Sequence, residues 1–191
     1  FFSSDAVFPD NNSFSSENEP TFPQNIYGRT KEIAEDHLKK HKGSHVVIRT
    51  TIIGKNISPS SKGLVEWIVD SVIRKEEIKL FDDVLFTPIS TWHLVDEIEW
   101  VIKNDVAGIL HLSGTEPISK YHFGKKVCKR LGLNTKYIKR GSIEEFNFLA
   151  KRSKNQTLDS SNYKSFSGRP LPSVNDTIDI ISKYFKEFSH A

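Results

Sequence analysis

An α/β domain built on parallel strands, followed by a smaller α/β lobe, is the fold class this sequence predicts. Three observations carry it. Short runs rich in β-branched and aliphatic residues, such as HVVIRTT and GILHL, alternate with stretches whose apolar residues recur at helical spacing. The helical stretches run roughly 10 to 15 residues, the length that joins parallel strands in βαβ units. After Gly114 the pattern weakens and loops become more frequent, which marks the smaller lobe.

Residues 1–8 read as the end of a buried strand. Residues 9–24 are rich in Pro, Asn, Ser and Glu and read as a long surface loop. Loops of that length without structure are uncommon and often functional. A helix is expected from 25 to about 41, with Ile33, Ala34 and Leu38 at helical spacing, basic residues at its end and Gly43 as its stop. Residues 45–51 form a buried strand. Leu64, Val65, Ile68, Val69 and Val72 share one helical face. Residues 77–88 hold a strand or two around a turn at Asp82 and Asp83. Ser90 or Thr91 caps a helix reaching about Lys103, and 108–113 is another buried strand. Residues 119–131 are helical and Gly132 ends them; 135–139 is a strand candidate. The last helix starts at Ser173, with Asp176 three positions on in an acidic variant of the capping box.

The chain has 191 residues, 37% hydrophobic and 27% charged, enough for a substantial core. Its net charge of +3 is interleaved along the sequence, so no block reads as a nucleic-acid arm. The mild positive bias suits an anionic small molecule and serves solubility equally well. The single cysteine, Cys128, lies on a helix face and reads as a core thiol, which fits a reducing, cytoplasmic setting. No apolar stretch approaches the ~20 residues that span a bilayer, and FFSSDAVF is not a signal peptide. Phe1 and Phe2 run straight into a strand, so the chain is expected to begin within a fold. His122 and His190 have no partners at metal spacing, so no metal is expected. His111 reads as a core histidine and His93 as structural. Trp67, Trp92 and Trp100 are expected to pack between helices and sheet.

Tyr27 and Lys31 form a Y-x-x-x-K on the first helix. The i, i+4 spacing puts both on one face, and an ammonium beside a phenol favours the phenolate. Such a tyrosine can exchange a proton with a carbonyl or alcohol oxygen. Ser4, at a strand end, is the natural hydroxyl to hold the same oxygen, because sites form at strand ends of parallel sheets. Alone, the pair also fits a solvated helix face. Its context is richer: SSDAVF, then P-x-N-x-YG-x-TK, then VVIRTT.

That order resembles the extended short-chain dehydrogenase/reductases, and finer features resemble the dTDP-4-dehydrorhamnose reductase group. Residues 3–8 look like the group's S-T-D-Y-V-F, GILHLSG like its G-x-Y-H-L-T-G, and Lys151-Arg152 with TLDSS like its K-R-P…L-D-x-S-K. The resemblance covers 2 to about 185. It implies the C-terminal part of a Rossmann-like parallel sheet with a smaller α/β substrate-binding lobe. Residues 1–113 would belong to the NAD(P)-binding domain, with an excursion into the substrate lobe at about 52–90, and 114–191 mainly to that lobe. Ser4 would orient the substrate carbonyl and Tyr27 would be the general acid. Lys31 would assist Tyr27 and hold the nicotinamide ribose. Phe2 would lie near the cofactor, NADH or NADPH. Asp5, Ile52 and Arg152 would face the nucleotide-sugar substrate, though Lys151 and Arg152 also read as a surface basic pair. A homodimer is common in the superfamily.

The sequence departs from the group in two ways. None of its ten glycines forms a G-x-x-G-x-x-G or G-x-G-x-x-G turn, so the phosphate-binding turn is expected before Phe1, and this chain alone should bind cofactor poorly. Ile52 stands where rhamnose-forming members carry tryptophan, residues 83–89 replace Q-x-G-x-P-T, and Ser153 replaces a proline. The implied activity is reduction of a 4-keto group on a nucleotide-activated deoxysugar. An epimerase on the same scaffold and a non-catalytic reductase-like subunit are the alternatives. Dehydratases typically carry T-D-E at the strand end, and here Ala6 stands in place of the glutamate.

Overall fold

The structure is a computed structural model and describes residues 1–10, 13–56 and 62–187, the side chains through 185. His190 and residues 57–61 of the predicted excursion lie outside the described residues. The chain runs through β1 (Phe2–Ser4), a 3-10 turn (Asp5–Val7), α1 (Ile26–Lys39), β2 (Val46–Thr50), β3 (Ile52–Ile53), α2 (Leu64–Ile73), β4 (Ile78–Phe81), β5 (Leu85–Phe86), β6 (Ile89–Ser90) and α3 (Thr91–Lys103). It continues with β7 (Gly108–Leu112), β8 (Ile118–Ser119), α4 (Lys120–Arg130), β9 (Ile138–Gly141), β10 (Asn155–Gln156), α5 (Ser161–Ser167) and α6 (Val174–Glu187).

β1, β2 and β7 form a parallel sheet in that order, as the alternation of strands and helices predicts. Its register puts Ser4 opposite Thr50, and Thr50 opposite Leu112. Ile48, Leu110 and Leu112 pack on Leu94 and Val101 of α3 and on Tyr163 of α5. A second core joins α2, α4 and α6 around Phe86 of β5, through Val65, Val69, Phe123, Val127, Ile178 and Ile181. β4 and β9 pair in parallel and lay Ile78, Leu80 and Ile138 over Ile68 and the buried Cys128. Burial pushes the Cys128 thiol up to about 11, so it is an inert core group. No helix among the described residues is long and apolar enough to cross a membrane.

Helix ends follow the sequence closely. Asn25 caps α1, Ser90 caps α3, and Ser173 exchanges hydrogen bonds with Asp176 at the start of α6. Gly132, in the left-handed region at φ 74°, follows α4 as expected. Three expectations need correction. The first strand stops at Ser4, because the Ser4 hydroxyl accepts the Ala6 N–H and starts a 3-10 turn. Residues 135–137 wind into another such turn under an Asn134 cap, and the strand runs from Ile138 to Gly141. Trp67 is 39% exposed and lines a cleft rather than packing between layers. The long loop, whose residues 11 and 12 are not described, is tied down: Phe14 N–H donates to Thr157 Oγ1 and Phe22 N–H to the Val7 carbonyl.

Candidate active site

The carboxyl ends of β1 and β2 open onto a cleft of about 760 Å³. It is lined by all seven residues the sequence singles out: Phe2, Ser4, Asp5, Tyr27, Lys31, Ile52 and Arg152. Ser4 reaches it because β1 ends there. Tyr27 and Lys31 reach it because α1 starts against the turn after β1. Asn25 fixes that start: its Oδ1 accepts the Gly28 N–H at 2.9 Å, and its Nδ2 donates to the Lys151 carbonyl at 3.0 Å. One side chain thereby ties the helix to the segment that carries Arg152.

Gly28 lets the helix come that close. A Cβ there would stand 2.1 Å from the Ala6 carbonyl oxygen and 2.9 Å from Pro23 Cβ. Backbone cannot rotate away as a long side chain can. We expect Gly28→Ala to cost about 1–3 kcal/mol of stability by overpacking and to displace Tyr27. Urea denaturation of the variant checks this; an unchanged midpoint would mean that the approach is looser than it looks.

Lys31 Nζ donates to the Phe2 carbonyl at 3.0 Å and lies 5.7 Å from the centre of the Tyr27 ring. Tyr27 is 56% exposed and Phe2 51%, so ring, phenol and ammonium share one open edge. The Ser4 hydroxyl donates to Asp5 Oδ1 at 2.8 Å. Burial pushes the Asp5 carboxyl up, opposed by the Ser4 hydrogen bond and the Lys120 charge. The Lys120 ammonium is pushed down to about 8, by burial first, with Arg152 adding to the effect and Asp5 opposing it. The buried Thr50 and Thr51 hydroxyls also face this region and have no hydrogen-bond partner among the described residues.

A second cleft of about 690 Å³ adjoins the first. Lys120, Arg152, Ser153 and Gln156 line both. Its walls carry Trp67, Phe81, Phe146 and Phe148; the Phe81 ring stands edge-on to Phe146 at 5.3 Å and to Phe148 at 6.0 Å. The Arg152 guanidinium sits 4.5 Å from the centre of the Phe148 ring. Arg152 is thus at the junction of two clefts.

Sequence reasoning missed Lys120, Gln156 and this aromatic wall. A signal for Lys120 exists: it is the first residue of α4, just after the Ser119 cap, where the helix dipole disfavours a cation. A lysine that accepts such a position is a candidate for a task beyond solubility. Gln156 and the phenylalanines leave no such trace, because folding alone brings them together.

The fold and the cleft define an enzyme scaffold of the extended short-chain dehydrogenase/reductase type. The chain belongs to the RmlD substrate-binding domain family, whose model matches residues 1–186. It is similar to a probable low-salt glycan biosynthesis reductase of Haloferax volcanii, with 21% identity over 98% of this chain and 64% of the relative. It is similar also to dTDP-4-dehydrorhamnose reductase of Escherichia coli, with 28% identity over 66% of this chain and 43% of that protein. The crystal structure of dTDP-4-dehydrorhamnose reductase from Bacillus anthracis in complex with NADP superposes with a TM-score of 0.87 at 24% identity, covering 95% of this chain and 63% of that one. The chain therefore spans less than two thirds of these relatives. It is homologous to NAD(P)-dependent reductases of the short-chain dehydrogenase/reductase type.

Proposed function

We propose that this chain carries the acid–base and substrate-binding parts of an NAD(P)H-dependent reductase acting on a nucleotide-activated 4-keto sugar. The observation that supports it most is that Ser4, Tyr27 and Lys31 line one cleft at the carboxyl ends of parallel strands. In this reading Ser4 turns its hydroxyl proton from Asp5 to the substrate carbonyl oxygen, and Tyr27 donates to the same oxygen. Tyr27 gives its phenolic proton to that oxygen as it becomes an alcohol. Lys31, one helical turn away, stabilises the negative charge left on the phenol oxygen.

The residues present fit a nicotinamide riboside. Phe2 offers an exposed ring, Lys31 and Tyr27 offer donors for sugar hydroxyls, and Thr50 and Thr51 have unpartnered hydroxyls. When bound, the coenzyme supplies a hydride; the chain supplies position and electrostatics. Residues 1–113, apart from about 52–90, are on this reading the part that sits with the coenzyme, and 114–191 mainly the substrate lobe.

Lys120 and Arg152 put two cations where the clefts meet, a fit for a diphosphate. The neighbouring aromatic wall suits a planar base. Ile52, half exposed in the sugar cleft, gives an aliphatic wall where rhamnose-forming enzymes of the group carry a tryptophan, so the sugar differs from theirs in the face it presents.

The test is steady-state assay of the complete gene product on a panel of nucleotide 4-keto sugars, following NADH and NADPH absorbance. Stoichiometric coenzyme oxidation with formation of a 4-hydroxy sugar is the expected result. Interconversion of sugars without net coenzyme consumption would favour an epimerase. No conversion, together with a changed rate of an added partner enzyme, would favour a binding subunit.

A further inference from the structure

We infer that Ser3, Glu35 and Arg49 form a buried positioning device that sets the rotation of α1 and thereby aims Tyr27 and Lys31 into the cleft. The inference rests on the reductase reading for its kinetic consequence, but not for its structural one.

Tyr27, Lys31 and Glu35 fall at i, i+4 and i+8 on α1, so they share one face. The first two face the cleft. Glu35 is fully buried against the sheet, where it meets Arg49, itself only 1% exposed. The guanidinium grips the carboxylate with two parallel bonds, Nε to Oε1 at 3.0 Å and the outer nitrogen to Oε2 at 2.7 Å. The Ser3 hydroxyl donates to the same Oε1. Ser3 and Arg49 are register partners on β1 and β2, so two adjacent strands build one socket for a single helical carboxylate. The socket is itself braced. Arg49 lies 4.9 Å from the centre of the Phe8 ring and approaches His111 Nε2 at 3.4 Å.

A stabilising role alone does not account for this arrangement. Two charges taken out of water recover their desolvation cost only with difficulty, and an apolar pair of similar volume usually serves stability as well or better. What an apolar pair lacks is direction. The planar fork admits one orientation of the carboxylate, and so one rotation and one height of α1. Gly28 fixes only how closely the first turn approaches the strand end; Glu35 fixes the angle. The angle matters because a helix rotation of about 10° carries an atom about 6 Å from the axis through roughly 1 Å. A misplacement of about 1 Å can cost on the order of 100-fold in rate. Ser3 precedes Ser4, so the same socket also holds the strand end that presents the Ser4 hydroxyl.

The experiment uses the complete gene product and three variants: Ser3→Ala, Glu35→Gln and the paired Glu35→Leu/Arg49→Met. Stability is read by thermal unfolding. The position of Tyr27 is read by NMR of tyrosine labelled at Cζ, with its resonance assigned through Tyr27→Phe and the buried Tyr163 as internal control. Turnover is read on whichever 4-keto sugar the wild type reduces. We expect the apolar pair to restore folding relative to Glu35→Gln, yet to leave the Tyr27 resonance shifted or broadened. With it, kcat should fall about 10- to 100-fold while KM for the sugar stays within about threefold. Ser3→Ala should move the resonance in the same sense by less. A folded apolar pair with the wild-type Tyr27 resonance and wild-type kcat overturns the inference and leaves a merely structural ion pair. Should the pair fail to fold, Ser3→Ala decides: an unmoved Tyr27 resonance overturns the inference. A wild type that reduces none of the sugars sinks the reductase reading, while the resonance still decides the positioning claim.

Discussion

Tyr27→Phe is expected to lower turnover of the complete gene product by about 10²- to 10⁴-fold, or about 3 to 5 kcal/mol of barrier. The substitution removes one hydroxyl and keeps the ring. That hydroxyl makes no hydrogen bond to any described residue, and the side chain is more than half exposed, so the fold loses almost nothing with it. Lys31 keeps its own anchor on the Phe2 carbonyl at 3.0 Å and stays in place. The loss should therefore fall on kcat, with sugar binding retained through Lys120, Arg152 and the aromatic wall. Thermal unfolding and steady-state kinetics on wild type and variant, side by side, check both halves. A Phe variant within twofold of wild-type turnover would show that another group gives the proton. A large drop in melting temperature would show instead that the hydroxyl holds structure.

The kind of information each residue carries explains what could be read in advance. The sheet was legible because β2 and β7 are buried on both faces and spell out as runs such as VVIRT and GILHL. The helices were legible because their caps are local: Asn25, Ser90, Ser119 and Ser173 each act within a few residues. Ser4, Tyr27 and Lys31 were legible because two of them share a helix face and the third ends a strand. The two-residue strands β3, β5, β6, β8 and β10 carry no period of their own. They exist only where a distant partner pairs them, as Asn155 with Leu85 and Ile118 with Phe86. The aromatic wall is of the same kind, since Phe81 and Phe146 lie far apart in the sequence and meet only in the fold. Nothing in the sequence ties Glu35 to Arg49, since they lie on different elements and no recognisable pattern joins them. Only burial reveals what they are to each other.

His111 predicts acid lability. The imidazole is fully buried, with Nδ1 placed to donate to the Asp159 carbonyl at 3.1 Å and Nε2 left facing Arg49 at 3.4 Å. A second proton would sit on Nε2 against a guanidinium. Burial first, then the Arg49 charge, hold the imidazole down at about 3, against the pull of backbone hydrogen bonds to Asp159 and Ser15 and of the Asp159 charge. Of its other neighbours, the Glu17 carboxylate accepts the His111 backbone N–H rather than the ring, and Phe8 presents an apolar ring at 5.6 Å. An unfolded histidine takes up a proton near pH 6.5. Between about 6.5 and about 3 the unfolded chain thus binds one proton more than the folded one, and stability falls as the pH drops through that window. The protein loses nothing on this account above pH 6.5 and about 2 to 3 kcal/mol by pH 4.5. Asp5 works the other way, since its carboxyl is raised in the fold and protonates there first, so total acid sensitivity alone does not isolate the histidine. His111→Asn does, because its amide can still donate to Asp159 and cannot titrate. Urea denaturation of both proteins at pH 6.5 and 4.5 should show the variant losing about 2 to 3 kcal/mol less than the wild type over that interval, whatever its stability at pH 6.5. Equal losses in the two proteins would place the acid sensitivity elsewhere, and His111 would then be free to take its proton in the folded state.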